Sequence, residues 1–190
     1  LATHDPERIE QCQRILGVPF KRARARPVAY LEYDEIDAIL RTIDRSTADG
    51  RRDYALLVTM FNTGARVQEL LDLRVGDLHL DKPCQVRLLG KGRKERICPL
   101  WPETAKVLSD WLEARSVDSR SVERLFLNHR REPLTRFGVR YLLAKYCTRA
   151  RSKTPSLDGK RLHPHTMRHS TAVHLLKAGV DLVTISHWLG

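Results

Sequence analysis

The chain has 190 residues, enough for one well-buried core and too few for two full domains. Its apolar stretches, such as Ala55–Leu56–Leu57–Val58, fall far short of a membrane span, and no basic start joined to an apolar run marks a secretory signal. Thirty-four Lys and Arg against 23 Asp and Glu leave a net charge of +11, so the expected partner is a polyanion, with nucleic acid ahead of an anionic membrane surface.

Taken in chain order, residues 6–16 place Ile9, Cys12, Ile15 and Leu16 at helical spacing. Gly17–Val18–Pro19 ends that helix, and the basic stretch to Pro27 reads as a linker. The next helix begins near Leu31, with Asp34 and Glu35 in a first turn where acidic groups suit the helix dipole. Residues 52–62 are apolar on most sides and predict a buried helix. Thr63–Gly64 breaks it, and another helix starts at about Ala65 with Val67, Leu70 and Leu71. Residues 84–89 and 95–100 flank Gly90–Lys91–Gly92–Arg93 and predict a β-hairpin. Helices follow at 102–115 and 134–149, with a short strand at Leu125–Asn128 between them. Residues 151–162 read as a loop, and two last helices span 166–178 and 181–189, with Gly179 as the cap between them. The expected class is mainly α with a small antiparallel β-sheet (α+β).

Cys12, Cys84, Cys98 and Cys147 are widely spaced and form no CxxC pair, which suits reduced thiols in a cytosolic compartment. General solubility charge is the competing reading of the excess, but the basic residues cluster at 21–26, 91–96, 149–153 and 160–161, which favours a polyanion partner.

Three segments carry chemistry. Thr63–Gly64–Ala65–Arg66 puts an arginine in the first turn of a helix, where free N–H groups and a planar guanidinium suit a phosphate; an ordinary surface arginine is the competing reading. On the hairpin turn, Lys91, Arg93, Lys94 and Arg96 are placed to meet DNA phosphates, and Lys91 to deliver a proton. The spacing is not that of a Walker A loop, and a turn chosen for solubility is the alternative there. His163–Pro164–His165–Thr166–Met167–Arg168–His169 is the most specific segment. With Thr166 as N-cap, His165 and Arg168 converge at a helix start, an arrangement suited to a phosphate oxyanion. Zinc on His165 and His169 is a competitor, but the residue after His165 is Thr rather than the Glu of a metalloprotease helix. Asp72, Asp77 and Asp81 are scattered, so no carboxylate cluster for a two-metal nuclease is visible. Arg, Lys and His around a phosphate, without carboxylates, point to metal-free chemistry.

In order, TGAR (63–66), LGKGRKER (89–96), HPHTMRHS (163–170) and HLLKAGVDLVTISHWLG (174–190) resemble the tyrosine recombinases of the phage integrase family. The resemblance covers residues 27–190 and implies the family's DNA breaking-rejoining catalytic core. It also implies site-specific recombination through a 3′-phosphotyrosine, without metal or high-energy cofactor. Under it, Arg66 and Arg168 clamp the phosphate, His165 assists proton transfer, and Lys91 protonates the leaving 5′-oxygen, with Lys94 the weaker candidate. The implied partners are double-stranded DNA and other recombinase protomers, which form a tetramer on DNA. Residues 1–26 correspond to the tail of a core-binding domain and its basic linker.

The family's nucleophilic tyrosine follows the WLG segment, whereas Tyr30, Tyr33, Tyr54, Tyr141 and Tyr146 all precede HPHTMRHS. Tyr141 and Tyr146 read as helix-packing residues, and His187 as part of the last helix. The expectation is a C-terminally truncated catalytic domain that binds phosphate without cutting. The alternatives are a non-catalytic DNA-binding module, a decayed recombinase, or a type IB topoisomerase with related chemistry.

Overall fold

The computed structural model describes residues 29–115 and 123–190; the helix expected at 6–16, the linker and the division at residue 26 lie outside the described residues. Helix α1 (Tyr33–Arg41) starts where Glu32 and Glu35 form a reciprocal capping box, with the Glu32 N–H donating to Glu35 Oε2 at 2.9 Å. Its Ile36 and Ile39 face the core.

Helix α2 (Ala48–Thr63) is the spine of the domain; Ala55, Leu56, Leu57 and Met60 are fully buried, and it packs against the later helices at Pro102–Ala114 and Pro164–Lys177. It begins a turn before the expected residue 52 because Thr47 Oγ1 accepts the Gly50 N–H at 3.0 Å. That first turn is polar, so apolar periodicity alone does not reveal it. Gly64 ends α2 in the left-handed region, at φ +57°.

Helix α3 (Val67–Asp72) is shorter and later than expected. Arg66 is its N-cap, in extended conformation, rather than a residue of its first turn. The reason is local: Glu69 Oε2, from the third helical position, accepts the Arg66 N–H at 3.0 Å and fixes Arg66 as the cap of a helix that starts at Val67.

The sheet is antiparallel in the order β1 (Leu78–His79), β2 (Gln85–Leu89), β3 (Glu95–Pro99). The hairpin pairs Val86 with Cys98 and Leu88 with Arg96, so Val86, Leu88 and Cys98 enter the core. Strand β1 is an addition to the expected pair. At the turn, Gly92 adopts φ +73°, a conformation that glycine takes without steric cost.

Helix α4 (Pro102–Ala114) follows. Residues 125–128 form no strand, contrary to expectation. Isolated bridges are all that form there, Leu127 with Pro133 and, just before the span, Arg74 with Arg124. Side chains serve this backbone instead: Trp111 Nε1 and Arg115 Nη1 both donate to the Leu125 carbonyl.

Helix α5 (Arg136–Arg151) buries Tyr146 and exposes Tyr141, which is 67% accessible and therefore not the packing residue expected. Five residues along a helix turn the side chain by about 140°, so the two tyrosines cannot share a face.

Helix α6 (Pro164–Lys177) starts before the expected residue 166. His163 is its cap, Pro164 takes the first helical position, and the Thr166 hydroxyl accepts the His163 N–H at 3.2 Å from within the helix. Thr166 is therefore buried in the first turn rather than capping it. Gly179, at φ +84°, follows the end of α6, and Asp181 caps α7 (Leu182–Leu189) by accepting the Thr184 N–H at 2.9 Å. The segment before α1 is strapped across α6: the Leu31 N–H donates to Ser170 Oγ at 2.8 Å, and His174 Nε2 lies 2.9 Å from the Leu31 carbonyl. Among the described residues no helix is long and apolar enough to cross a membrane.

Candidate active site

Three segments far apart in sequence meet at the end of α2. Gly64 turns the chain there, and a β-carbon on it would stand 2.4 Å from Leu189 Cδ2 and 3.3 Å from Thr171 Cβ, so only glycine lets α6 and α7 approach so closely. The Arg168 guanidinium crosses this junction. Its Nη1 donates to the carbonyls of Gly64 and Leu189, both at 2.8 Å, and its Nη2 to that of Gly190 at 3.0 Å. Arg66 reaches the same Gly190 oxygen through Nη2 at 2.9 Å. Two guanidinium groups from different elements thus donate to one oxygen.

Beneath them lies Glu69, only 5% exposed. Its Oε1 accepts from Arg66 Nη1 at 2.8 Å and its Oε2 from Arg96 Nη2 at 2.7 Å. Burial pushes the Glu69 carboxyl up, but hydrogen bonds from Arg96, Arg66 and the Arg66 N–H outweigh it and hold the group below the usual range. Glu69 therefore stays ionised and orients Arg66. Burial, with the cations Arg66 and Arg96 nearby, depresses Arg168 from its ordinary value against the opposing pull of Glu69. With one carboxylate among three guanidinium groups, the cluster favours an added anion.

Arg96, expected to contact DNA, is largely enclosed by protein. Its side chain is 11% exposed against 44% for Arg66, and its Nε donates to the Trp188 carbonyl at 3.1 Å. Arg93 and Lys94 are exposed on the hairpin turn, and the backbone of Lys91 occupies the same turn. His165 is exposed and opens onto a groove of about 580 Å³, lined also by Val67, Arg136, Phe137, Arg140, His163 and Pro164. Arg136 Nε donates to Gln68 Oε1 at 2.7 Å, tying the start of α5 to α3 along that groove. The structure thus brings Arg66 and Arg168 together, and leaves His165 exposed beside them and Lys91 in the hairpin turn.

Among the described residues no three His, Cys, Asp or Glu side chains are grouped to hold a metal ion, and His174 is turned toward Leu31. Two participants escaped the sequence reading, Glu69 and the backbone carbonyls that end α7. The three-residue spacing of Arg66 and Glu69 carried the signal for the first; nothing in the sequence signals the second.

A mainly helical domain with a three-stranded antiparallel sheet, and two arginines converging beside a hairpin, defines the class. The Phage integrase family model matches residues 29–190, and the chain belongs to that family. It is 42% identical over 185 residues to the integrase/recombinase y4rC of Sinorhizobium fredii, covering 97% of this chain and 55% of that protein. It is 39% identical over 174 residues to the tyrosine recombinase XerD of Listeria innocua, covering 90% and 56%. In structure it is similar to the XerA recombinase, with a TM-score of 0.72 and 25% identity over 85% of this chain and 56% of that one. The XerH site-specific recombinase bound to its difH substrate before cleavage gives a TM-score of 0.72 and 25% identity, over 85% and 47%. The chain spans little more than half the length of y4rC and XerD.

Proposed function

We propose that this chain supplies the phosphate-binding part of a DNA strand-transfer site, within a protein that performs site-specific recombination in the cytosol. The observation that carries the reading is the convergence of Arg66 and Arg168 on one oxygen. In phosphoryl transfer the protein's chief task is to position the phosphate and stabilise charge on its non-bridging oxygens, for which paired guanidinium groups are suited. Arg66 and Arg168 clamp those oxygens, and Glu69 fixes the aim of Arg66. His165 orients the phosphate and assists proton transfer from the neighbouring groove. Lys91, carried on the hairpin turn, delivers a proton to the leaving 5′-oxygen, with Arg93 and Lys94 holding the duplex backbone. The partners are double-stranded DNA and further recombinase protomers.

None of the five tyrosines serves as nucleophile in this reading. The Tyr146 hydroxyl is buried and donates to Asp53 at 2.6 Å, the Tyr30 hydroxyl donates to Glu32, and Tyr33, Tyr54 and Tyr141 belong to α1, α2 and α5. The 190-residue chain on its own forms no covalent adduct with DNA; an adduct would show the nucleophile to be among its own residues.

The test of the function is covalent-adduct formation and strand joining by the protein that carries this domain, on DNA from its own locus. Arg66→Ala and Arg168→Ala each lower the rate by about a hundredfold or more while the fold, followed by circular dichroism, persists. Duplex binding without any cutting or joining by the unsubstituted protein would favour a non-catalytic DNA-binding module.

A further inference from the structure

The three arginines of the cluster do not stand alike. Arg66 and Arg168 share one oxygen, whereas Arg96, with a side chain only 11% exposed, donates to Glu69 and to the Trp188 carbonyl and does not reach that oxygen. It links three elements: it starts from β3, donates to Glu69 of α3, and donates to the Trp188 carbonyl near the end of α7. A glycine makes room for it: a β-carbon on Gly190 would stand 2.8 Å from Arg96 Nη1 and 2.9 Å from its Cδ.

We propose that Arg96 is a positioning residue: it holds Glu69 and the end of α7 so that Arg66 is aimed at the bound phosphate, and it makes no phosphate contact of its own. The inference rests on the reading of Arg66 and Arg168 as the phosphate clamp. Its chemistry requires arginine. A planar guanidinium donates along two edges at once, from Nε to a carbonyl and from Nη2 to a carboxylate. A lysine ammonium is a single point on a flexible stem and serves one of the two.

The test uses the full chain and a random-sequence DNA duplex as probe. Two quantities are measured: the slope of log affinity against log salt concentration, and the ¹⁵N-resolved guanidinium N–H signals of Arg66. A phosphate ligand replaced by a neutral residue reduces the salt slope by about 1. The expected result is that Arg66→Gln and Arg168→Gln each lose that unit and Arg96→Gln does not. Arg96→Gln instead collapses the Arg66 signals to the averaged position of a free arginine and weakens binding about threefold, a fraction of what loss of a charge-assisted hydrogen bond costs. Arg96→Lys, which keeps the charge beside Glu69, restores part of both effects and carries the test should the Gln variant fail to fold.

The proposal is overturned if Arg96→Gln reduces the slope by a full unit, or if the Arg66 signals stay as in the unsubstituted chain. A Lys variant indistinguishable from arginine in both readouts would overturn it too, since lysine cannot hold both partners. If the slope is insensitive to Arg66→Gln and Arg168→Gln, the clamp reading fails by itself, and the Arg66 signals in Arg96→Gln still decide the role of Arg96.

Discussion

Replacing Gly64 by alanine perturbs the joint on which the candidate site is built, and its cost follows from two separable effects. At φ +57° an L-residue carries a left-handed penalty of about 1–2 kcal/mol. The added methyl would also stand 2.4 Å from Leu189 Cδ2 and 3.3 Å from Thr171 Cβ, an overlap that only displacement relieves. Overpacking of this kind costs about 1–3 kcal/mol, so Gly64→Ala should destabilise the domain by about 2–5 kcal/mol in all. For a domain of this size each kcal/mol lowers the midpoint by about 2–4 °C, which predicts a fall on the order of 10 °C by calorimetry. The two parts are separated in a Leu189→Ala background, where the clashing Cδ2 is gone and only the backbone strain and the milder Thr171 contact remain. Urea denaturation of the four proteins in the cycle should therefore give a smaller cost for Gly64→Ala in that background, with a coupling of about 1 kcal/mol or more. Equal costs in both backgrounds, to within about 0.5 kcal/mol, would refute the close approach of α7 to Gly64 as the reason for glycine there.

Other consequences can be measured directly. Tyr146→Phe leaves the buried Asp53 without its hydroxyl donor and should cost about 1.5–3 kcal/mol in urea denaturation, as for hydrogen bonds to charged groups. Burial and the hydrogen bond to Asp53 raise the Tyr146 phenol above its ordinary value. Its contribution to stability is thus complete below about pH 10, the unfolded value, and is lost as pH rises beyond it, a loss that Tyr146→Phe removes. Burial pushes the Cys98 thiol up to about 12, so iodoacetamide at pH 8 should leave it unmodified in the native chain and label it after denaturation, as read by peptide mass mapping. Glu69 is depressed, so its contribution is present above its unfolded value of about 4.5 and is lost as pH falls below that. Glu69→Gln should flatten the acid limb of the stability profile, measured by thermal melts between pH 3 and 7.

Much of the domain was legible because its signals are local. The helical spacing of Ile36 and Ile39, the Gly-rich turn at 90–93 and the position of Gly179 each follow from interactions within a few residues. The errors were local as well: the polar first turn of α2 and the caps at Arg66 and His163 depend on side chain to backbone hydrogen bonds that apolar periodicity does not register. The false strand at 125–128 is apolar in the manner of a strand, yet Trp111 and Arg115 take the backbone acceptor that a ladder would use.

The order of four motifs was enough to identify the family and to name Arg66 and Arg168 as partners, because those residue types have few uses together. Which arginine is enclosed by protein was decided only in three dimensions. Arg96 sits in the same basic run as Arg93 and Lys94, and composition treats all three as one patch. Pairing with Leu88 places Arg96 over Glu69 and the end of α7, while Arg93 and Lys94 remain in solvent on the turn. Strand register and the docking of α7 set that difference. The register is local to the hairpin, but the partners of Arg96 lie 27 and 92 residues away in sequence, so the physical cause lies beyond any pattern read along the chain.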